Sequence, residues 1–365
     1  MSSMKILMLS NEFPPSIGGV QTHVYELAKA LVRAGHRVAV VARRAEKSLS
    51  KFEIMDGIEV HRLKLPNSHL VYDWKLSRFL KKQVRENGFE VAHVHGMRPL
   101  KAAARAGVPV VFTNHTSSFL KRVKKGQKVL DKMRRELELA SVVLAPSEEL
   151  VEATRTTGYG GETVFISNGV DTGRFYPTDS ALRKTLGIPT SAMVFVLARR
   201  LVEKNGVLHF AKAIGRVQRD NFHVIVAGDG EDREQFEQIV ADAGCSARVH
   251  MLGGVDNQKM PEVFAAGNVS VLPSLMEATS IAGLEAMACG LPLIGTRVGG
   301  IPVILHHEKT GLLVEPASPD ALAQAMRYCC DNQEVVHTMG QAALDRARRE
   351  FSWDKIAEQT LAYYR

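Results

Sequence analysis

The chain has 365 residues, 45% hydrophobic and 24% charged, with a formal net charge of +8 at pH 7. That length exceeds one ordinary core, so two domains are predicted, and the composition is that of an ordinary soluble globular protein. The start "MSSMKILMLS" carries no export signal, and the longest apolar stretches, such as "VPVVF", are far shorter than the roughly 20 residues of a membrane span.

In chain order, "KILMLS" reads as a strand, residues 20–32 as a helix and "RVAVVA" as a strand, with further strands at "EVAHVH", "VPVVFT" and "SVVLAP". Parallel βα units are the economical reading. Gly18 and Gly19 stand just before the first helix, where bare amides and the helix dipole suit an anion and where glycine also suits a plain turn. They do not form the GxGxxG of a dinucleotide fold. His115 falls at the carboxyl end of the "VPVVFT" strand, with Thr113, Asn114 and Thr116 around it, a place equally fit for a structural or a functional histidine.

The run from Lys121 to Arg135 holds eight lysines and arginines. Residues 1–170 carry 27 basic and 16 acidic side chains, against 20 and 23 in the remainder, so the basic character belongs to the first half alone. A solvated helix face accounts for the run, and so does an amphipathic helix on an anionic membrane surface or beside a phosphorylated acceptor, with Val123, Val129, Leu130 and Met133 facing lipid or the core. Without interleaved aromatic residues, nucleic acid is not an expected partner.

The pattern pauses near residues 167–190 in a Gly-, Pro- and Asn-rich stretch, then restarts with "MVFVLA", "FHVIVAG", "ARVHMLG", "VSVLPS" and "PLIGT". A second doubly wound domain follows, and function is expected in a cleft where the carboxyl ends of the two sheets meet. Arg199, Arg200 and Lys204 follow the first strand of this domain, and cations there suit a diphosphate. The four cysteines show neither metal-ligand spacing nor a disulfide framework, so a reducing cytoplasm and no structural metal are expected.

The stretch "SLMEATSIAGLEAMACGLP" holds Glu277 and Glu285 eight residues apart. On one helix they would stand about 80° apart around it and about 12 Å apart along it, too far to share one small group. Thr279 or Ser280 is predicted to cap a helix that Gly290 stops, so Glu277 precedes the helix and Glu285 lies in its second turn. An anion on the amides of Thr279, Ser280 and Ile281 would then lie between the two carboxylates, a spacing that fits a nucleotide sugar.

These stretches, together with "EFPPSIGGVQTHVYELAKALVRAGHRVAVV", "ISNGVDTGRFYP", "RRLVEKNGV", "VAGDGEDREQ" and "FSWDKIAEQTLAYYR", resemble the retaining glycosyltransferases of the GT-B fold, family 4 (glycosyl transferases group 1), along essentially the entire chain. "TNHTS" is similar to a segment of the phosphatidylinositol mannosyltransferase-like members. The resemblance implies an α/β protein of two Rossmann-like domains facing across a cleft. Residues 1–170 would be the acceptor side, 171–350 would bind the nucleotide sugar, and 351–365 would form a helix crossing back to the first domain.

The same resemblance implies roles. Glu277 would bind donor-sugar hydroxyls and Glu285 the ribose, with the base near Gly254 and Val255. The amides from Thr279 to Ile281, the Gly18–Gly19 loop, Arg200 and Lys204 would hold the diphosphate, and His115 would meet the sugar or its developing positive centre. The acceptor side is read at Asn11, Lys121 and Lys124. The chain departs from the family pattern at Asn205, where a lysine usually stands, at Ala278, Thr279 and Ser280 in place of GFG, and at Val303.

The implied reaction moves a hexosyl group, with retention, from a GDP- or UDP-sugar to a hydroxyl acceptor, lipid-linked or phosphorylated. It needs no cofactor, and without a clustered Asp-Asp motif no metal. A monomer or homodimer in the cytoplasm, or peripheral on the inner face of the membrane, is expected. The rival readings are a sugar-nucleotide epimerase or phosphorylase on the same fold, a non-catalytic binding protein, and a nicotinamide enzyme, which the missing GxGxxG disfavours.

Overall fold

The computed structural model describes residues 3–16, 18–115 and 117–364. The chain forms two compact units: the part up to Gly169 together with the segment from Trp353 onward, and Val170–Ser352.

The N-terminal unit is built on eight strands: β1 (Lys5–Ser10), β2 (Arg37–Arg43), β3 (Phe52–Met55), β4 (Ile58–Leu63), β5 (Val91–Val94), β6 (Val110–Thr113), β7 (Val142–Ala145) and β8 (Glu162–Phe165). Their order in the sheet is β3-β4-β2-β1-β5-β6-β7-β8. All pairings are parallel except that of β3 with β4. The central strands are continuous apolar runs because both faces are covered. Ile6, Met8, Val38 and Val40 pack on one side with Val24, Leu27 and Leu31 of helix α1 (Gly19–Arg33), while Leu7, Leu9, Ala39 and Val41 pack on the other.

The hairpin of β3 and β4 lies outside the sequence expectation. Its stretch "FEIMDGIEVHRL" turns at Asp56 and Gly57, both at positive φ (49° and 79°), as a two-residue hairpin turn demands. Beyond it, helix α2 (His69–Asn87) ends at Gly88 in the left-handed conformation.

The second unit holds six parallel strands: β9 (Met193–Ala198), β10 (Phe222–Ala227), β11 (Val249–Gly253), β12 (Val269–Leu272), β13 (Leu293–Thr296) and β14 (Gly311–Val314), in the order β11-β10-β9-β12-β13-β14. Alternate residues of β9 feed two cores: Phe195 and Leu197 one, Val194 and Val196 the other. In each sheet the winding reverses next to the first strand, at β1/β5 and at β9/β12. A doubly wound sheet binds its ligand outside the carboxyl ends of the strands at such a point.

The basic run forms two helices rather than one, α3 (Ser117–Val123) and α4 (Gln127–Leu137), separated at Gly126 with φ 90°. Met133 and Leu137 are buried, and Leu120, Val123 and Val129 pack against the same core. The apolar side is therefore spent on the domain interior, which corrects the lipid-facing alternative, while Lys121, Lys124, Lys125 and Lys128 are exposed. Among the described residues no helix is long and apolar enough to cross a membrane.

The final helix, α6 (Trp353–Leu361), belongs to the N-terminal unit. Trp353, Ile356, Ala357, Leu361 and Tyr364 are buried in the core that α1 also lines, and Arg33 donates to Asp354 at 2.6 Å.

Candidate active site

In the second unit, the chain leaving β9 turns the Arg199 guanidinium toward the loop that follows β12. Arg199 donates through Nη1 to Ser274 Oγ at 2.9 Å, and through Nη2 to Asn205 Oδ1 at 3.2 Å and to the Glu277 carboxylate. The Arg199 and Glu277 side chains are only 11% and 14% exposed, so the pair is held largely away from water. Asn205 is buried and also donates through Nδ2 to the Arg200 carbonyl at 2.8 Å, so this side chain closes the loop. Lys204 is exposed, and its carbonyl accepts from the amides of Leu275 and Met276 at 2.9 and 3.1 Å.

The loop carrying Glu277 is clamped by close backbone approach on both sides. A Cβ on Gly206 would overlap the Pro273 carbonyl oxygen, and one on Gly299 would overlap that of Glu277; both glycines have positive φ (66° and 49°). No larger residue fits either place. After this loop Ser280 caps helix α5 (Ile281–Ala288), its Oγ accepting from the Gly283 amide at 3.2 Å, and Gly290 follows with φ 83°. The backbone thus has the predicted cap and stop, with Glu285 in the second turn between them.

A pocket of about 440 Å³ opens at the carboxyl ends of β9, β10 and β11. Arg199, Arg200, Gly254, Val255, Asn257 and Glu285 line it. Glu285 is buried, and burial pushes its carboxyl up to about 7, against the pull of the Arg174 charge and an Asn257 amide 3.5 Å away. Two arginines, a buried acid that titrates near neutrality and the exposed Gly254 backbone thus share one pocket.

Five of the residues singled out from the sequence, Arg199, Arg200, Gly254, Val255 and Glu285, therefore meet in one pocket. Lys204 is not among the residues that line this pocket, and Glu277 is ion-paired with Arg199.

In the N-terminal unit, His115 follows β6 and meets histidines from two other elements. His95 follows β5, its Nδ1 3.0 Å from His115 Nε2, and the two rings stack. His23, on α1, lies edge-on to His115 with ring centroids 4.4 Å apart and hydrogen-bonds Asn168 Oδ1 through Nδ1 at 2.8 Å. Behind them His93 is held at both nitrogens, by Tyr364 Oη at 2.7 Å and Thr113 Oγ1 at 2.6 Å.

Burial holds every one of these imidazoles neutral. His23 falls to about 4 and His93 to about 3, while His95 and His115 lie well below the ordinary histidine value, each pushed further by the neighbouring rings. The sequence reading missed His23, His93 and His95. "HVH" at a strand end was the available signal, since residues two apart share a face.

Gly18 and Gly19 begin α1, and a Cβ on Gly18 would crowd Gln21. Asn11, just past β1, accepts from the Tyr72 hydroxyl at 3.0 Å. Lys121 and Lys124 stand exposed on and after α3, and Thr116 lies outside the described residues.

Residues 178–346 match the family described as Glycosyl transferases group 1, and residues 17–174 match Glycosyltransferase Family 4. Alpha-maltose-1-phosphate synthase of Mycolicibacterium smegmatis is 30% identical, over 99% of each chain. D-inositol 3-phosphate glycosyltransferase of Pseudarthrobacter chlorophenolicus is 28% identical, over 95% of this chain and 90% of its own. Among solved structures, sucrose-phosphate synthase from Thermosynechococcus elongatus matches with a TM-score of 0.80 at 23% identity, over 99% of this chain and 98% of that one. Anabaena HepE in complex with UDP matches with a TM-score of 0.77 at 21% identity, over 99% of each. The two structures establish the fold, two parallel-sheet domains of the GT-B kind. With both halves matched and a relative of equal extent at 30% identity, the chain belongs to the group 1 glycosyltransferases, family 4, and is a glycosyltransferase.

Proposed function

We propose that this glycosyltransferase moves a hexosyl group from a GDP- or UDP-sugar to a hydroxyl acceptor, with retention at the anomeric carbon. The observation that carries the reading is the pocket in which Arg199, Arg200, Gly254, Val255 and buried Glu285 converge beside the capped helix α5. In this reading the base rests at Gly254–Val255 and Glu285 accepts from the ribose. The diphosphate meets Arg199, Arg200 and the amides of Thr279, Ser280 and Ile281, with Lys204 adding charge from the rim. Glu277, oriented by Arg199, accepts from sugar hydroxyls.

The departing phosphate oxygen serves as base for the acceptor hydroxyl on the same face of the sugar, so no protein nucleophile is assigned. From the N-terminal unit, His115 and the Gly18–Gly19 loop serve the transfer step, and Asn11, Lys121 and Lys124 the acceptor. A neutral His115 imidazole adds no repulsion to positive charge developing at the anomeric carbon.

Thermal-shift titration with GDP-, UDP- and ADP-sugars identifies the donor, because a ligand at 100 times its dissociation constant adds about 2.7 kcal/mol of stability. Transfer requires donor and acceptor together, whereas epimerisation needs the donor alone. Inversion in the product, read by NMR of the anomeric proton, would overturn the retaining mechanism.

The diphosphate is neutralised here by side chains and amides, so turnover is expected to persist in excess chelator. Complete loss reversed by magnesium or manganese would contradict the roles of Arg199 and Arg200.

We further propose that the N-terminal unit works at an anionic membrane surface. Besides the exposed lysines of α3, α4 and the turn between them, helix α2 supports this: Leu70, Val71 and Trp74 are exposed in its first two turns, and Trp74 lines a groove together with Lys64, Lys75, Arg78, Lys81, Lys82 and Arg85. Apolar insertion beside such cations suits phospholipid headgroups, each charge adding up to ~1 kcal/mol. Sedimentation is expected to show salt-sensitive binding to anionic vesicles only, weakened when Lys121, Lys124, Lys125 and Lys128 are changed to Gln and again by Trp74→Ser. Equal partition to neutral vesicles would return both segments to ordinary solvated faces.

A further inference from the structure

His23, His95 and His115 reach one point from three separate elements, α1 and the chain beyond β5 and β6. Each offers one ring nitrogen, and these three atoms lie within 4.8 Å of one another. The 3.0 Å between His95 Nδ1 and His115 Nε2 is close to the roughly 3.3 Å that separates two ligands of a tetrahedral ion bound at about 2.05 Å. His23 spends Nδ1 on Asn168 Oδ1, which leaves Nε2 as its lone pair. An imidazole oriented by a carbonyl oxygen on its far nitrogen is the usual arrangement of a metal ligand.

His95 meets His115 through Nδ1, and its buried Nε2, on the other side of the ring, has no partner among the described residues. His93 differs, because both its nitrogens are engaged, and it serves as packing behind His95.

We propose that His23, His95 and His115 form a binding site for a divalent transition-metal ion, Zn²⁺ in class, with the fourth position left to water or a substrate oxygen. Three neutral nitrogen donors and no carboxylate select Zn²⁺, Co²⁺ or Ni²⁺ over Mg²⁺ and Ca²⁺, which prefer oxygen. The proposed transfer reaction does not use this ion. Occupation withdraws the His115 nitrogen, so the ion inhibits transfer, and this consequence rests on the role given to His115 above.

The test is a titration of chelator-treated full-length protein with Co²⁺, read by the visible absorption of tetrahedral cobalt, and with Zn²⁺, read by calorimetry. One ion per chain and a tetrahedral band are expected, with excess Mg²⁺ unable to compete. His23→Gln and His95→Gln should abolish the band, and Asn168→Ala should weaken binding about 10- to 100-fold while leaving all three ligands in place. His223→Gln is the control, because His223 and His250 form a second close pair, Nδ1 to Nε2 at 3.1 Å, in the other unit.

Absence of the band in folded wild type, or binding lost only in His223→Gln, would overturn the site. If a ligand variant fails to fold by circular dichroism, Asn168→Ala decides, and unchanged affinity in it counts against the site. Stoichiometric binding without inhibition of transfer would leave the site standing and remove His115 from the transfer step.

Discussion

Glu285→Gln is expected to weaken nucleoside diphosphate binding by about 1.5 to 3 kcal/mol while making the unliganded protein more stable above neutral pH. The two effects share one cause. Burial raises the Glu285 carboxyl from 4.5 to about 7, so the folded state holds its proton over a range in which the unfolded chain has lost it. Stability from this group is complete below pH 4.5 and falls as pH rises to about 7, by about 2 to 4 kcal/mol in all. Glutamine carries no ionisation and escapes that loss. Urea melts at pH 5 and pH 8 measure it: the wild type should lose more stability between them than the variant. Ribose hydroxyls donating to the carboxylate favour its charged form, so binding near pH 6 should release a proton, seen by calorimetry in buffers of different ionisation enthalpy. A variant that binds nucleotide normally would remove Glu285 from the site.

Glu277→Ala should leave the bare nucleoside diphosphate bound and lower transfer about 10- to 150-fold, the loss expected when one charged hydrogen-bond partner of a sugar hydroxyl is removed. It should also destabilise the fold by about 2 to 4 kcal/mol, because Arg199 keeps a shielded charge without its carboxylate. Arg199→Met should be damaging in the same way from the other side. The double variant should lose less stability than the two singles together, since each single removes the same pair. Equal loss of nucleotide binding in folded Glu277→Ala and Glu285→Gln would sink the separate roles of the two acids.

Local signals were legible where the physics is local. Ser280, Gly290 and the spacing of Glu285 announce a capped helix from a dozen residues, and alternating apolar runs announce both sheets. The β3–β4 hairpin escaped because β3 and β4 are half-exposed and alternate like a surface segment, with only Asp56-Gly57 marking the turn. Strand β8 is exposed or half-buried along its length and carries no continuous apolar run to mark it. Which of two adjacent arginines turns inward depends on Glu277, 78 residues away, so no local window distinguishes Arg199 from Arg200. The histidine cluster is likewise a product of strand order, since β5 comes to lie between β1 and β6 only once the sheet has formed. The sequence groups Val123, Val129, Leu130 and Met133 on one apolar side; only tertiary packing decides that Val123, Val129 and Met133 face the interior.

Helix α6 is translated after the whole of the second unit, yet its side chains finish the first. At about 5 to 20 residues per second, the ribosome spends roughly 10 to 40 s between Gly169 and Trp353. Throughout that interval the surface of α1 that will receive Trp353, Ile356 and Leu361 stands bare, and His93 waits for the Tyr364 hydroxyl. The N-terminal core is thus completed only after the second unit has been made, and the last helix acts as the latch that closes it.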